Sequence, residues 1–267
     1  MFQKIGLIGT GNMGSAIASA VFSSSQIHEL LLANRTNQKA EALAGRLPGA
    51  QVSTNKEIAE TCDLIFLAVK PQMMPAMLAD ISAVLNSRSD RYVLCSMAAG
   101  LSCSRIQALA ACSAPIIRIM PNTPAAIGKG VIQVCGLDTT EQEISDFCEL
   151  LKPAGLVDCI DEALIDAASA VSGCGPAFAY MFAEALADGA VACGLPRSKA
   201  IAYAAGMLEG SAALLLQSGS HPGALKDAVC SPGGTTIQGV RKLEESGFRG
   251  AVMDAVIAAY DKTNSMK

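Results

Sequence analysis

The feature that most constrains the fold is a glycine-rich turn near the start of the chain. Residues 4–8 are mostly apolar, and Gly9, Gly11 and Gly14 follow with the spacing G-x-G-x-x-G. This order predicts a strand, a tight turn and a helix, as in dinucleotide-binding folds. Gly9 would permit the turn, Gly11 would leave space for phosphates, and Gly14 would let the helix pack closely. The helix start would favour an anion. An ordinary strand–turn–helix with incidental glycines is the alternative.

Strands and helices alternate from this turn to about residue 160. The apolar run 63–69 is typical of a parallel strand buried on both faces. Strands 63–69, 92–97 and 115–120 each end in a loop of small residues or proline. In a doubly wound sheet such loops lie at one edge, where ligands bind. Further strands are predicted at 30–33, 51–54, 131–135 and 155–159. Helices are predicted at 39–47, after Asn55 as an N-cap, and at 140–152, where Thr140 and Glu143 have the spacing of a capping box.

The residues after the second predicted strand bear on the choice of cofactor. NAD-binding folds usually place an acidic residue there against the ribose hydroxyls, but this chain has Asn34, Arg35 and Thr36. Arg35 can face a 2′-phosphate, and Asn34 and Thr36 can donate hydrogen bonds. We therefore expect NADPH as the cofactor, with NADH as the alternative. A polar surface turn with no ligand would have the same composition.

From about residue 161 onward the signals are helical, which predicts two domains, 1–160 and 161–267. The segment 200–216 carries one charged residue, Glu209. A helix that is apolar on nearly all sides must be buried on nearly all sides. A domain of about a hundred residues has little room for it. We therefore expect an intertwined homodimer, or a higher oligomer built from dimers. A central helix in a larger single-chain core is the alternative.

A second glycine-rich loop lies within the helical half, at residues 230–236. Ser231 and Thr236 supply hydroxyls, while Gly233, Gly234 and Thr235 supply backbone N–H groups at a helix start. This arrangement suits a small carboxylate, although alone it predicts only a glycine-rich helix start. Residues 153–196 contain no Lys, Arg or His, so that stretch offers no cationic or imidazole catalytic group.

Composition excludes several classes of function. Charged residues are 16% and hydrophobic residues 51%, the net charge is −4, and no long basic run occurs. This argues against a nucleic acid or an anionic membrane surface as the main partner. The N-terminus has no secretory pattern, and the ten cysteines form no C-x-x-C pair. We expect a cytoplasmic protein with buried thiols and no metal site.

Taken together, these segments resemble the pyrroline-5-carboxylate reductase family over nearly the whole chain. The most specific is the signature from Ala224 through the Gly233–Thr236 loop to Leu243. Cys174 departs from the family pattern, because the family usually has Ser between the glycines at positions 173 and 175. The other stretches that carry the resemblance are Gly6–Gly14, Ala68–Gln72, Ala98–Ser102, Met120–Pro124 and Ser172–Ala177.

The resemblance implies an α/β, doubly wound Rossmann-type domain followed by an all-α dimerisation domain. It implies hydride transfer from NAD(P)H to the C=N carbon of 1-pyrroline-5-carboxylate, giving L-proline in the last step of proline biosynthesis. Asn122 and Pro124 would lie near the nicotinamide. The other implied cofactor contacts are Gly9, Thr10, Gly11, Asn12, Met13, Gly14, Asn34, Arg35, Thr36, Asn55, Ala68, Val69, Lys70, Pro71, Met97, Ala98 and Ala99.

The resemblance also implies that the second glycine-rich loop binds the substrate carboxylate, and that the partner subunit of a dimer donates this loop. Its residues are Ser231, Gly233, Gly234, Thr235 and Thr236, and the Thr236 hydroxyl would contact the ring nitrogen as the catalytic group. A cyclic imine is readily protonated, so the reaction needs no strong acid from the enzyme.

Two rival functions are open. A β-hydroxyacid dehydrogenase has a similar first half but needs a lysine on the helix after the Ser-Gly-rich turn, and residues 177–192 contain none. A non-enzymatic NADP-binding sensor would keep the Gly9 turn. It would have no reason to keep the loop from Ser231 to Thr236.

Overall fold

The computed structural model describes residues 2–24 and 29–265, which form two compact units. One contains the chain up to Cys174 and again from Ala259; the other is Gly175–Ala258. The predicted boundary at 160/161 lies one helix before this division. The helix Glu162–Ser172 belongs to the first unit because it packs against two strands of that unit, Ile116–Met120 and Gly130–Leu137.

The first unit is built on an eight-stranded sheet. Its strands are β1 (Lys4–Ile8), β2 (Glu29–Ala33), β3 (Gln51–Val52), β4 (Leu64–Leu67), β5 (Val93–Ser96), β6 (Ile116–Met120), β7 (Gly130–Leu137) and β8 (Gly155–Cys159). The strand order is β3-β2-β1-β4-β5-β6-β7-β8, and every neighbouring pair is parallel except β6 and β7. This confirms the predicted Rossmann-type α/β fold.

Helices cover both faces of the sheet. They are α1 (Asn12–Ser23), α2 (Asn37–Ala44), α3 (Asn55–Thr61), α4 (Met74–Ser87), α5 (Cys103–Ala110), α6 (Glu141–Leu151) and α7 (Glu162–Ser172), with 3-10 turns at Pro71–Met73, Thr123–Ile127 and Lys152–Ala154. Strand β4 shows the two faces clearly. Its residues Leu64 and Phe66 belong to one buried apolar cluster, and Ile65 and Leu67 belong to the other. Alternate side chains of a strand point to opposite faces, so each face has its own core.

The helix caps both confirm and correct the predictions. Thr140 and Glu143 form the predicted capping box at the start of α6: the Thr140 hydroxyl accepts from the Glu143 N–H at 3.2 Å, and a Glu143 carboxylate oxygen accepts from the Thr140 N–H at 2.7 Å. The predicted cap at Asn55 is wrong. Thr54 has the extended backbone of a cap and accepts from the Glu57 N–H at 3.1 Å, which makes Asn55 the first residue of α3.

The remaining chain is helical, as predicted. The helices are α8 (Gly175–Ala192), α9 (Arg197–Ser218), α10 (Pro222–Ala228), α11 (Thr235–Glu245) and α12 (Phe248–Asn264). Helices α8 and α9 pack against each other, yet both leave large apolar side chains in solvent, among them Tyr180, Met181, Tyr203 and Leu216. Among the described residues, only α9 is long and apolar enough to span a membrane by length and composition.

Candidate active site

Four parallel strands of the first unit end side by side. Ile8 of β1 pairs with Ala33 of β2 on one side and with Leu67 of β4 on the other, and Leu67 pairs with Ser96 of β5. The next residue of each strand therefore begins a loop at the same edge of the sheet. Those four residues, all predicted cofactor contacts, are Asn34, Gly9, Ala68 and Met97.

The three glycines of the first turn have different structural roles. Gly9 has a φ of +109°, and a Cβ there would lie 2.5 Å from the Ala68 carbonyl oxygen. A Cβ on Gly14 would lie 2.1 Å from the Gly9 carbonyl oxygen. A Cβ on Gly11 would have no atom of the chain within 4 Å. The fold thus requires Gly9 and Gly14, whereas Gly11 leaves open space beside the turn, as a bound pyrophosphate would need.

Hydrogen bonds hold this turn in place and leave anion-binding groups available. The Asn34 side-chain oxygen accepts from the Thr10 N–H at 3.0 Å, and its amide nitrogen donates to the Thr36 carbonyl at 3.0 Å. Asn34 therefore positions the turn, and its oxygen is already engaged. No side chain caps α1 at Gly11, and the buried Thr10 hydroxyl has no partner among the described residues. A helix start of this kind suits a phosphate.

The end of β2 presents a cation at this edge. Arg35 is exposed and has no hydrogen bond or ion pair within the described chain. Thr36 precedes α2 without capping it through its side chain. An unpaired guanidinium beside an uncapped helix start is suited to a phosphate group. Asn55 is half-buried at the start of α3.

The loops after β4 and β5 are built differently from each other. Ala68 and Val69 are half-buried, Lys70 is exposed, and Pro71 begins a 3-10 turn. After β5, Ala98 is buried and its N–H donates to the Ser96 hydroxyl at 3.3 Å, whereas Met97 is half-buried and Ala99 exposed. Small side chains at this edge allow a ligand to approach the backbone.

The loop after β6 contains a residue with a structural role that the sequence did not indicate. Asn122 is 6% exposed; its amide nitrogen donates to the Ser172 carbonyl at 2.9 Å, and its oxygen accepts from the Val131 N–H at 3.0 Å. It thereby links the ends of β6 and α7 with the start of β7. The Ser172 hydroxyl in turn donates to Gln133 at 3.1 Å. Pro124, in the following 3-10 turn, is half-buried.

In the second unit, the loop between α10 and α11, for which a carboxylate site is predicted, forms a tight turn before a helix start. Gly233 has a φ of +68°, and the Gly234 N–H donates to the Ser231 carbonyl at 3.0 Å. A Cβ on Gly234 would lie 2.4 Å from the Ser231 hydroxyl, which would have to rotate away, and 3.1 Å from the Ser231 carbonyl oxygen. No side chain caps α11, and the exposed hydroxyls of Ser231, Thr235 and Thr236 have no hydrogen-bond partner within the described residues.

The nearest cation in sequence to this loop is already paired. Lys226 lies 2.5 Å from Asp227, and a hydrogen bond from its ammonium to that carboxylate raises the pKa of Lys226. The lysine therefore stays protonated, and the Asp227 carboxylate neutralises its positive charge. Contacts to a carboxylate would come from the N–H groups and hydroxyls of the loop itself.

Two family models match the chain. Residues 4–100 match a family described as NADP oxidoreductase coenzyme F420-dependent. Residues 162–266 match the pyrroline-5-carboxylate reductase dimerisation family. The second match begins next to the predicted domain boundary and contains α9 and the Ser231–Thr236 loop.

Relatives align with the chain from end to end. Pyrroline-5-carboxylate reductase of Escherichia coli (strain K12) is 39% identical over 100% of this chain and 99% of its own length. Pyrroline-5-carboxylate reductase 3 of Danio rerio is 39% identical over 100% and 92%. The crystal structure of Plasmodium falciparum pyrroline carboxylate reductase with NADP bound is 31% identical, covers 99% of this chain and 98% of its own, and has a TM-score of 0.86. The chain therefore belongs to the pyrroline-5-carboxylate reductase family.

Proposed function

We propose that this chain reduces the C=N bond of 1-pyrroline-5-carboxylate with NADPH to give L-proline, the last step of proline biosynthesis. One observation supports this proposal most strongly. A chain that aligns throughout with pyrroline-5-carboxylate reductases has both an open dinucleotide turn at Gly11 and a tight, uncapped loop from Ser231 to Thr236. The first suits a cofactor phosphate, and the second suits a small carboxylate.

The residues at the sheet edge fit a dinucleotide phosphate. The open space at Gly11 and the uncapped start of α1 would receive the pyrophosphate, and Arg35 would face the 2′-phosphate of NADPH. Asn34 would act mainly by holding the turn, since its oxygen is occupied by Thr10. When bound, NADPH supplies the hydride. We assign the remaining contacts to the predicted residues that follow β2, β3, β4, β5 and β6.

The loop of the second unit would position the substrate. Its N–H groups at Gly233, Gly234 and Thr235 would bind the carboxylate, with the Ser231 hydroxyl beside them. The Thr236 hydroxyl would hydrogen-bond the ring nitrogen and so orient the C=N carbon for hydride transfer. A protonated imine accepts hydride without a strong acid, which agrees with residues 153–196 containing no Lys, Arg or His.

We further propose that the enzyme is a homodimer, or a higher oligomer of dimers, in which the partner subunit donates this loop. Only 11% of the apolar window of α9 is buried by its own chain, and Ile201 and Leu214 are also largely exposed. An exposed apolar surface of this kind marks a site of contact with another molecule. The match of this region to a dimerisation family favours a second subunit over a lipid bilayer. Sedimentation equilibrium should give at least a dimer, and a monomer at assay concentration would refute the assembly.

A cytoplasmic location is part of the same proposal. All ten cysteines are free thiols, as in proteins that function in a reducing compartment. Fractionation of the source cells should recover the activity with cytoplasmic enzymes, and recovery with membranes would contradict this location.

The activity is tested by adding 1-pyrroline-5-carboxylate to the enzyme with NADPH or NADH and quantifying both the oxidised cofactor and L-proline. We expect turnover with a higher kcat/KM for NADPH. A 3-hydroxy acid with NADP⁺ serves as the control for the dehydrogenase alternative. Oxidation of that acid without imine reduction would favour the dehydrogenase, and tight NADPH binding without any turnover would favour a sensor.

A further inference from the structure

Two buried thiols and a carboxylate lie close together in the first unit, on β7 and at the starts of α5 and α7. Cys103 is the first residue of α5, Cys135 lies in β7, and Glu162 is the first residue of α7. The two sulfur atoms are 3.7 Å apart, and the two sulfurs and a Glu162 carboxylate oxygen all lie within 4.8 Å of one another. Both thiols are buried, while the Glu162 side chain is 36% exposed.

The spacing of the two sulfurs agrees with metal coordination. Two thiolates on one tetrahedral zinc, each with a Zn–S bond of about 2.3 Å, have sulfurs about 3.8 Å apart. The observed 3.7 Å agrees with this value. Two unrelated buried thiols in van der Waals contact would have a similar spacing. The third donor, Glu162, distinguishes the site from such a contact, because a carboxylate oxygen within 4.8 Å of both sulfurs adds a third ligand of a kind that zinc takes.

One oxygen of the Glu162 carboxylate remains available to a metal ion. Arg118 is 3% exposed and lies 2.6 Å from Asp166, which balances its charge, and 3.3 Å from one oxygen of Glu162. The same Glu162 oxygen accepts from the Cys103 N–H at 2.7 Å. The second oxygen of Glu162 has no hydrogen-bond partner within the described residues. Two thiolates and one carboxylate would supply three negative donors to a dication.

The carboxylate of this group borders a cavity that the two buried thiols do not line. This cavity has a volume of about 490 Å³ and is lined by Glu162, Arg118 and Asp166 together with Ser102 and Arg105.

We propose that Cys103, Cys135 and Glu162 bind a zinc ion, with a water molecule from this cavity as the fourth ligand. The site lies outside the proposed reductase machinery. Zinc bound there would tie α5, β7 and α7 together and stabilise the folded chain by mass action.

The test uses the purified full-length enzyme after removal of metal with a chelator. Cobalt(II) is titrated first, since thiolate ligation gives a charge-transfer absorption that a purely oxygen site lacks, and zinc is then added in competition. The variants Cys103→Ser, Cys135→Ser and Glu162→Gln remove one donor each. The matched control is the double variant Cys148→Ser and Cys159→Ser. This pair also has its sulfurs close, at 3.4 Å, but belongs to no three-donor group among the described residues.

We expect the wild type and the control to bind one zinc per chain with equal affinity and to unfold at a higher temperature when zinc is present. Each serine variant should bind at least about 100-fold more weakly, since even the loss of an outer contact costs about 10–100-fold. Glu162→Gln should bind at least about 10-fold more weakly. This change keeps the side-chain volume and an acceptor for the Cys103 N–H, so it decides the question even if a serine variant does not fold.

Three results would overturn the site. One is the absence of a thiolate–cobalt absorption in the wild type. Another is unchanged zinc affinity in Glu162→Gln. The third is loss of zinc binding in the double variant at Cys148 and Cys159, which would place the metal there.

Discussion

Replacing Gly11 with Ala separates cofactor binding from folding more sharply than any other change in the glycine turn. Gly11 has a φ of −70°, which alanine adopts without strain, and its Cβ would meet no atom of the chain within 4 Å. The same change at Gly14 would place a Cβ 2.1 Å from the Gly9 carbonyl oxygen. Only the Gly11 variant should therefore keep the native turn.

The expected magnitudes differ accordingly. At Gly11, the lower entropy of the unfolded chain favours alanine by about 0.4–1 kcal/mol, and the weaker helix cap offsets part of this. The free energy of unfolding should therefore change by no more than about 1 kcal/mol. A methyl group in the space for the pyrophosphate should cost about 1–3 kcal/mol of binding, a Kd for NADPH that is about 5- to 150-fold higher.

The assay pairs a fluorescence titration of NADPH with urea unfolding of the same preparations. Gly45→Ala is the control, because Gly45 is exposed with a φ of −62° and lies at the end of α2, and its Cβ would come no closer than 3.4 Å to any atom. This control should leave the Kd for NADPH unchanged and, by the same entropy argument, raise the free energy of unfolding by no more than about 1 kcal/mol. An unchanged Kd in Gly11→Ala, with an intact fold, would refute the placement of the pyrophosphate at this turn.

Three further substitutions test the substrate loop, the cofactor preference and a pH-dependent ion pair. Thr236→Ala should lower kcat/KM by about 10-fold or more, whereas Thr236→Ser should retain most of it. Equal kcat/KM values in the wild type and both variants would remove the hydroxyl from the mechanism. Arg35→Gln should raise the KM for NADPH by about 10-fold and leave that for NADH unchanged, because only NADPH has the 2′-phosphate; a parallel rise in both would contradict this. Glu143→Gln tests a pH effect: the hydrogen bond from Arg91, with those from Thr140, lowers the pKa of Glu143 to about 2. The stabilisation it gives is therefore complete above its ordinary pKa near 4.5 and disappears as the pH falls towards 2. Because Arg91 is largely exposed, the loss at neutral pH should be no more than about 1 kcal/mol, and a difference that persists at pH 2 would refute the assignment.

The sequence predicted those parts of the fold that local pattern determines. A continuous apolar run such as 63–69 identifies a strand buried on both faces, and its core, Leu64–Leu67, is β4. The Gly9 turn then fixes which edge of the sheet carries the loops, because the carboxyl ends of parallel strands lie together. The capping box of Thr140 and Glu143 was equally local.

Contacts between distant segments could not be read from the same patterns. Asn34 is a residue type that often contacts a ligand, but its side-chain oxygen accepts a hydrogen bond from the Thr10 N–H. The two residues meet only because β1 pairs with β2. Asn122 likewise holds Val131 and Ser172 because β7 runs antiparallel to β6. No spacing rule relates residues that far apart in sequence.

The proposed reductase activity is tested by the stoichiometry of a single reaction. NADPH oxidised and L-proline formed should be equal when 1-pyrroline-5-carboxylate is added to the purified enzyme. We expect one proline per NADPH, a slower reaction with Thr236→Ala, and a need for more NADPH to reach the same rate with Gly11→Ala. NADPH that binds but is not oxidised, or is oxidised without proline formation, would contradict it.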